Sequence, residues 1–179
     1  MHVPSSLLKR HVLESNRIEG IHFRSGALFT SHLRAAALVA RHPPWQQPVH
    51  PLAIHRTLSR FTPMEWFGGE YRTCRIWVGD TEMPSWERVP ALMEWWWGCV
   101  GEMSQVSSEK RPDAALLLHD FLLHIHPFRD GNGRTARLFL NSVRLKHGLS
   151  WRIISLKERS RYYAHIRATE RIFRSATRT

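Results

Sequence analysis

Cysteine is nearly absent from this chain: Cys74 and Cys99 are the only two in 179 residues. Two such residues form neither a disulfide framework nor a zinc-type spacing, so both are expected to be reduced. Long apolar runs are missing as well. No charge-free stretch approaches the roughly 18 residues that a membrane-spanning helix needs, and the N-terminus carries no apolar leader, so the expected location is the cytoplasm. Acidic residues are scarce, 15 against 26 Lys and Arg, for a net charge of +11. A basic chain suits nucleic acid, anionic ligands or acidic protein partners. No nucleic-acid motif and no basic run with interleaved aromatics is present, which leaves a solvated basic face suited to an acidic partner. Internal repeats and low-complexity tracts are also lacking. The length fits a single domain over residues 1–179 with an adequate core.

What is present in quantity is concentrated in twelve residues, His126-Pro-Phe-Arg-Asp-Gly-Asn-Gly-Arg-Thr-Ala-Arg137. They set a base, a carboxylate, two glycines and two arginines between apolar runs. The preceding run, Asp113 to Ile125, is apolar nearly all round and reads as a buried helix. Pro127 disfavours helical geometry at His126, so that helix should end there and leave the imidazole at the loop edge. Gly131 and Gly133 permit positive φ and close approach to a ligand. A second helix is expected from about Asn132 to Lys146 and His147, with Gly148 as its stop. Together these form a helix-loop-helix over residues 113–147.

The N-terminus of that second helix is a natural anion site. Arg134 and Arg137 lie three apart in its first turns, where cations oppose the helix dipole by roughly 0.3–1 kcal/mol each. An anion bound at the same place removes the misfit. Asp130 can hold Mg²⁺ together with phosphate oxygens, or it can cap the helix; the residue types alone leave both roles open. His126 has a pKa suited to a general base.

This segment resembles the signature of the Fic family, HPFx(D/E)GN(G/K)RxxR, at every defined position. The resemblance implies a mostly α-helical bundle with a β-hairpin flap. It implies transfer of AMP from ATP to the Ser, Thr or Tyr hydroxyl of a target protein. On that likeness His126 deprotonates the hydroxyl, and Asp130 holds Mg²⁺. Gly131, Asn132 and Gly133 line an anion hole, Arg134 also contacts the phosphates, and Arg137 takes the γ-phosphate. Phe128 looks like a core anchor for the loop. Residues 69–79 alternate and end in glycine, as a short hairpin would. They resemble the family's flap, so Tyr71, Arg72, Thr73, Cys74 and Arg75 are the expected docking positions for a target segment by strand addition. Tyr162 and Tyr163 resemble the pair that closes the adenine pocket, with Tyr163 assigned to nucleotide binding. Beyond them the pattern departs: Ala168-Thr169-Glu170-Arg171 stands where relatives carry Ala-Asn-Gly-Asp. The likeness spans roughly Ser5 to Arg171.

A second misfit lies at the other end of the chain. Ser5 or Ser6 can cap a helix running to Glu19, with Gly20 just beyond it, and Leu8, Val12, Ser15 and Glu19 share one face. Glu19 then sits in the last turn, where the dipole favours cations. Ser15-Asn-Arg-Ile-Glu-Gly20 is similar to the family's inhibitory motif (S/T)xxxE(G/N), which makes residues 5–20 an inhibitory helix. The resemblance implies a Glu19–Arg137 salt bridge that occupies the γ-phosphate site. In some relatives the same glutamate supports removal of AMP. De-AMPylation, transfer of another phosphodiester group and a non-catalytic nucleotide-sensing module therefore stand as alternatives.

Three further patterns were weighed. Residues 131–136 also read G-x-G-x-x-A, a dinucleotide fingerprint, but no strand precedes them and no βα alternation follows. His119-Asp120 suggests a metal phosphohydrolase dyad, but no further ligand set stands at readable spacing. Trp95-Trp96-Trp97 falls in an expected helix from Trp86 to Val100. Three consecutive residues cannot all face inward, so at least one is expected at the surface, where it suits a partner or a homo-oligomer.

Overall fold

The computed structural model describes residues 2–22 and 25–177; Met1, residues 23–24 and residues 178–179, which the expected domain included, lie outside the described part. Among the described residues, seven α-helices, four short 3-10 turns and one short hairpin make up the regular structure, which matches the expected mostly helical class. Helices α5 (Arg111–Ile125) and α6 (Asn132–Lys146) form the central pair. Around them pack α2 (Gly26–Arg41) and α3 (Pro51–Ser59) against α6, and α4 (Val89–Gly101) and α7 (Arg159–Ala176) against α5. Residues Arg134 to Val143 of α6 are buried without interruption. A helix buried on every side is the core of the molecule, and its N-terminus is held as rigidly as the core itself.

Helix α1 (Ser5–Ile18) lies across α2 and α6. Its N-cap position belongs to Pro4, with no side-chain cap bond, so neither Ser5 nor Ser6 caps it as expected. The chain turns helical directly after the proline, whose missing N–H costs nothing at a helix start. The C-terminus follows expectation. Gly20 has φ +73°, its N–H donates to the Arg17 carbonyl, and the Ile21 N–H donates to the Asn16 carbonyl. This paired closure pins the direction in which Glu19 leaves the helix. Leu8, Val12 and Ser15 are buried along the inner face.

The tryptophan run corrects one expectation. Trp96 is fully buried and its indole N–H donates to the Leu118 carbonyl at 2.8 Å. Trp95 stacks on Phe121, and Trp97 packs between His50 and Phe139. None of the three is exposed, because α4 is covered by α5 on one side and by the contacts of Trp97 with His50, just before α3, and Phe139 of α6 on the other. The flap is also displaced from its expected range. Strands β1 (Trp77–Val78) and β2 (Thr81–Glu82) pair antiparallel, Trp77 with Glu82 and Val78 with Thr81, around a Gly79-Asp80 turn. Two-residue hairpin turns need positive φ, which Gly79 supplies at +57°. Residues 69–76 form no strand. Among the described residues, no helix is long and apolar enough to cross a membrane.

Candidate active site

The loop between α5 and α6 begins where proline chemistry said it would. Helix α5 stops at Ile125, and His126 caps it in the left-handed region, φ +51° and ψ +61°. A non-glycine residue rarely adopts this backbone, and its cost is tolerated where the surroundings over-determine the conformation. Here they do. The His126 carbonyl accepts from the Arg72 Nε at 2.8 Å, and the Pro127 carbonyl accepts from the Arg72 backbone N–H at 2.8 Å. The ring is fixed as well, because Nδ1 lies 3.0 Å from the Leu123 carbonyl oxygen. A carbonyl can only accept, so Nδ1 carries the proton and Nε2 keeps its lone pair. Burial lowers the imidazole pKa and keeps it neutral.

Behind the loop the anchoring residues are unusually complete. Phe128 is fully buried and stacks on His55 with ring centroids 3.9 Å apart. The His55 Nδ1 accepts from the Gly69 N–H at 3.0 Å, and its Nε2 donates to the Asp130 carbonyl at 3.0 Å. The Asn132 side chain turns inward, accepting from the Phe128 N–H at 2.9 Å and donating to its carbonyl at 2.8 Å. Asn132 thus clamps the loop with its side chain and can offer a ligand only its backbone. Gly131 has φ +75°, as expected. Gly133 lies inside the helix with ordinary φ; its requirement is space, since a Cβ there would collide with the Glu19 carboxylate.

Glu19 is the feature that organises the cavity. Its Oε1 accepts from the Arg137 Nη2 at 2.7 Å, and the carboxylate lies over Gly133 at the N-terminus of α6. Arg137 is 2% exposed and also donates from Nε to the Ser15 hydroxyl at 2.8 Å and from Nη2 to the Ser15 carbonyl at 3.0 Å. Arg134 is buried and pairs with Asp130 at 3.2 Å. The other Asp130 oxygen accepts from the Gly131 N–H at 2.6 Å, while the side chain stays about two-thirds exposed (67%). The α6 N-terminus therefore holds two guanidinium groups, free backbone N–H groups and one borrowed carboxylate. That is the electrostatics of an anion site with an anion already seated in it.

Glu19, His126, Asp130, Gly131, Asn132, Gly133, Arg134, Arg137 and Tyr163 all line one cavity of about 710 Å³, roofed by Trp77 and Val78 of β1 and by Tyr162 and Ile166 of α7. Ser15 stands behind Arg137. The expected docking residues Tyr71, Arg72, Thr73, Cys74 and Arg75 are not among its lining residues. Arg72 in particular is 2% exposed, and its guanidinium is spent on the carbonyls of His126, Cys74 and Pro84. It is a clamp between the flap base and the loop, and cannot present a docking side chain. Thr73 and Arg75 are exposed, Tyr71 and Cys74 half-buried. Both cysteines are free.

Metal holding falls to a single side chain. Among the described residues there is no cluster of three His, Cys, Asp or Glu that could hold an ion unaided. Mg²⁺ suits one carboxylate supplemented by phosphate oxygens, and an exposed Asp130 beside the anion site fits that donor set.

Three residues near the site, His55, His119 and Asp120, are not marked for it in the sequence, whereas Tyr162 belongs to the tyrosine pair named above. Tyr162 is buried, its hydroxyl 3.4 Å from the Arg137 Nη1 and 3.1 Å from the His119 Nε2. It belongs to the arginine end of the cavity, whereas Tyr163 is the half-buried member of the pair, with Arg159 over its ring. His55 gave no signal at all. His119-Asp120 suggests a metal dyad from residue type, but a carboxylate in an apolar helix must find partners of any kind, and here they are His and Thr side chains.

A profile of the Fic/DOC family matches residues 46–143, more than half of the chain. The protein adenylyltransferase Fic of Drosophila willistoni is 39% identical over 114 residues, covering 63% of this chain and 22% of that protein. The same-named protein of Drosophila virilis is 39% identical over 117 residues, covering 63% of this chain and 23% of its own length. The chain thus spans about a fifth of the length of these curated relatives. In fold it is similar to a Fic domain-containing signalling protein from Bacteroides thetaiotaomicron, with a TM-score of 0.72 at 22% identity over 91% of this chain and 72% of that one. Fic-1 of C. elegans (residues 134–508) matches with a TM-score of 0.71 at 21% identity, over 90% and 55% respectively. The loop anchored by Phe128, the arginines at the head of α6 and these matches lead to one conclusion: the chain belongs to the Fic/DOC family.

Proposed function

We propose that the chain is a protein adenylyltransferase, transferring AMP from ATP to a hydroxyl side chain of a target protein, and that its own first helix restrains it. The observation that carries this reading is the Glu19 carboxylate, seated between Arg137 and Gly133 in the cavity that His126 also lines. Its relatives named protein adenylyltransferase Fic support the chemistry.

His126 is the general base. With Nδ1–H tied to the Leu123 carbonyl, the free Nε2 accepts the proton of the target hydroxyl. The hydroxyl oxygen forms its bond to the α-phosphorus as the bond from that phosphorus to the bridging oxygen breaks, and pyrophosphate leaves with the electron pair. Backbone N–H groups at the start of α6 receive the charge that builds on the α-phosphate oxygens. Arg134 and Arg137 hold the outer phosphates. Asp130 is the residue that would hold Mg²⁺, an ion that, when bound, neutralises charge on the phosphate oxygens. In the latched state Glu19 takes the γ-phosphate's place on Arg137. ATP then binds weakly or with its α-phosphate out of line.

Label transfer from α-³²P-ATP with Mg²⁺ into a cell lysate tests the reading, comparing wild type, Glu19→Gly and Glu19→Gly/His126→Ala. Label with Glu19→Gly alone is the expected result. Absence of label in all three, with ATP binding intact, overturns adenylyl transfer in favour of a nucleotide-sensing module or another transferred group.

A further inference from the structure

Arg137 divides its guanidinium between two sets of partners. Nε and Nη2 are held by Ser15 and Glu19 of α1. Nη1 is the nitrogen that overhangs Gly133, about 3.0 Å from where a Cβ would stand, and its one hydrogen-bond partner among the described residues is the Tyr162 hydroxyl at 3.4 Å. This second guanidinium nitrogen at the phosphate site, beside the Nη2 that Glu19 holds, therefore depends for its orientation on a phenol from α7.

That phenol is itself directed. A hydroxyl has one proton and two lone pairs, and it helps Arg137 only if the proton points elsewhere. His119, fully buried on α5, lies with Nε2 3.1 Å from the Tyr162 oxygen and Nδ1 2.8 Å from the Asp120 Oδ1. With the Asp120 Oδ1 accepting in this contact, Nδ1 carries the imidazole proton and Nε2 is left as an acceptor. The Tyr162 proton must then go to His119, and the phenol turns a lone pair to Arg137. Both neighbours stay in the state this needs: burial lowers the His119 pKa, and burial raises that of Tyr162 to about 12. Asp120 is wholly buried, and among the described residues no Arg or Lys forms an ion pair with it. It accepts from His119 on one oxygen and lies 3.1 Å from the His165 Nε2 and 3.3 Å from the Thr169 hydroxyl on the other. A carboxylate kept in an apolar helix at this cost calls for a use.

We infer that Asp120, His119 and Tyr162 form a directional hydrogen-bond relay whose task is to hold the Arg137 Nη1 in position for the γ-phosphate. The inference rests on the reading of Arg137 as a phosphate partner. All three are positioning residues, and the relay acts only on nucleotides that carry a γ-phosphate. Asp120→Asn inverts it with almost no change of volume. The amide can donate to Nδ1, the imidazole switches tautomer, Nε2–H donates to the phenol, and the Tyr162 proton is turned toward Arg137. Tautomer inversion by removal of a buried aspartate is a known route to loss of function with geometry retained.

The test measures ATP and ADP affinity in the Glu19→Gly background. For Asp120→Asn, ATP binding is expected to weaken on the order of tenfold, the scale of one hydrogen bond to a charged group, with ADP binding unchanged within about twofold. Tyr162→Phe should produce the same ATP-specific loss, and adding Asp120→Asn to it should do nothing more, since no phenol remains to be directed. His119→Phe, which keeps a ring in place, stands in if Asp120→Asn does not fold. Equal weakening of ATP and ADP, or additive losses in the double variant, would overturn the relay. Arg137→Ala separates the two layers: if it spares the ATP preference, the phosphate reading itself fails; if it abolishes the preference while the relay variants keep it, the relay alone falls.

Discussion

Replacing Glu19 by glycine tests the latch most directly, and the structure sets the size of the effect. The Glu19–Arg137 contact is a 2.7 Å charge-assisted hydrogen bond in which the arginine is 2% exposed and the glutamate side chain 32% exposed. Bonds of this type contribute about 1.5–3 kcal/mol, and partial exposure of the carboxylate places this one in the lower half of that range. Glu19 sits in the C-cap position with φ −84° and ψ 5°, a conformation glycine adopts freely, so the backbone of α1 should survive. ATP must displace the carboxylate from Arg137. Removing it should therefore raise ATP affinity by about 1.5–2 kcal/mol, on the order of 10–30-fold. AMP has no outer phosphates and should bind both proteins equally. Calorimetric titration of both nucleotides into wild type and Glu19→Gly decides the matter. A gain shared equally by ATP and AMP, or no gain for ATP, would refute the idea that Glu19 competes for the outer-phosphate site.

Three further outcomes are expected. His126→Ala in the Glu19→Gly background should abolish label transfer and leave ATP affinity within about twofold, because its Nε2 is needed for proton removal and not for phosphate contacts; retained turnover would remove it as the base. Arg72→Ala should cost about 2–3 kcal/mol, since it strips the donor from the partly buried carbonyls of His126 and Cys74, and lower Tm by about 4–12 °C for a chain of this length; a Tm within about 2 °C of wild type would show that the clamp is dispensable. His11, on the buried face of α1, has its pKa lowered to about 3 by burial and then by the Arg137 charge. A base depressed in the folded state contributes stability that is complete above its ordinary value of 6.5 and is lost as pH falls from there toward 3, at about 1.4 kcal/mol per unit. Urea unfolding at pH 7.5 and pH 5 should thus show a loss that His11→Phe reduces by about 2 kcal/mol, and an unchanged loss would mean that His11 takes up its proton equally in the folded and unfolded states.

The elements legible in the sequence were those written by local chemistry. Pro127 ended α5 at Ile125, Gly148 marked the stop of α6 after His147, and Gly20 closed α1, because backbone sterics act within a residue or two. The meeting of Glu19 with Arg137 was implied by the resemblance of Ser15 to Gly20 to the family's inhibitory motif; the two helix-end misfits alone would equally suit a solvated glutamate. The hairpin, expected over residues 69–79, spans 77–82 and shares only its first three residues with that range. Alternation over residues 69–76 looked like a strand, but a strand needs a partner, and Arg72 had already committed its backbone and side chain to the signature loop.

The chain by itself thus determined the loop, the two helices flanking it, the base and the opposed charges, since each follows from residue types at short spacing. Only the tertiary structure decided which side chains face the ligand and which face the protein. Asn132 and Arg72 turned inward to satisfy buried backbone groups. His55 and Tyr162 were brought to the site from α3 and α7, and Asp120 received three partners from α5 and α7. Buried polar groups must be paired, and the partners that pair them come from wherever packing places them.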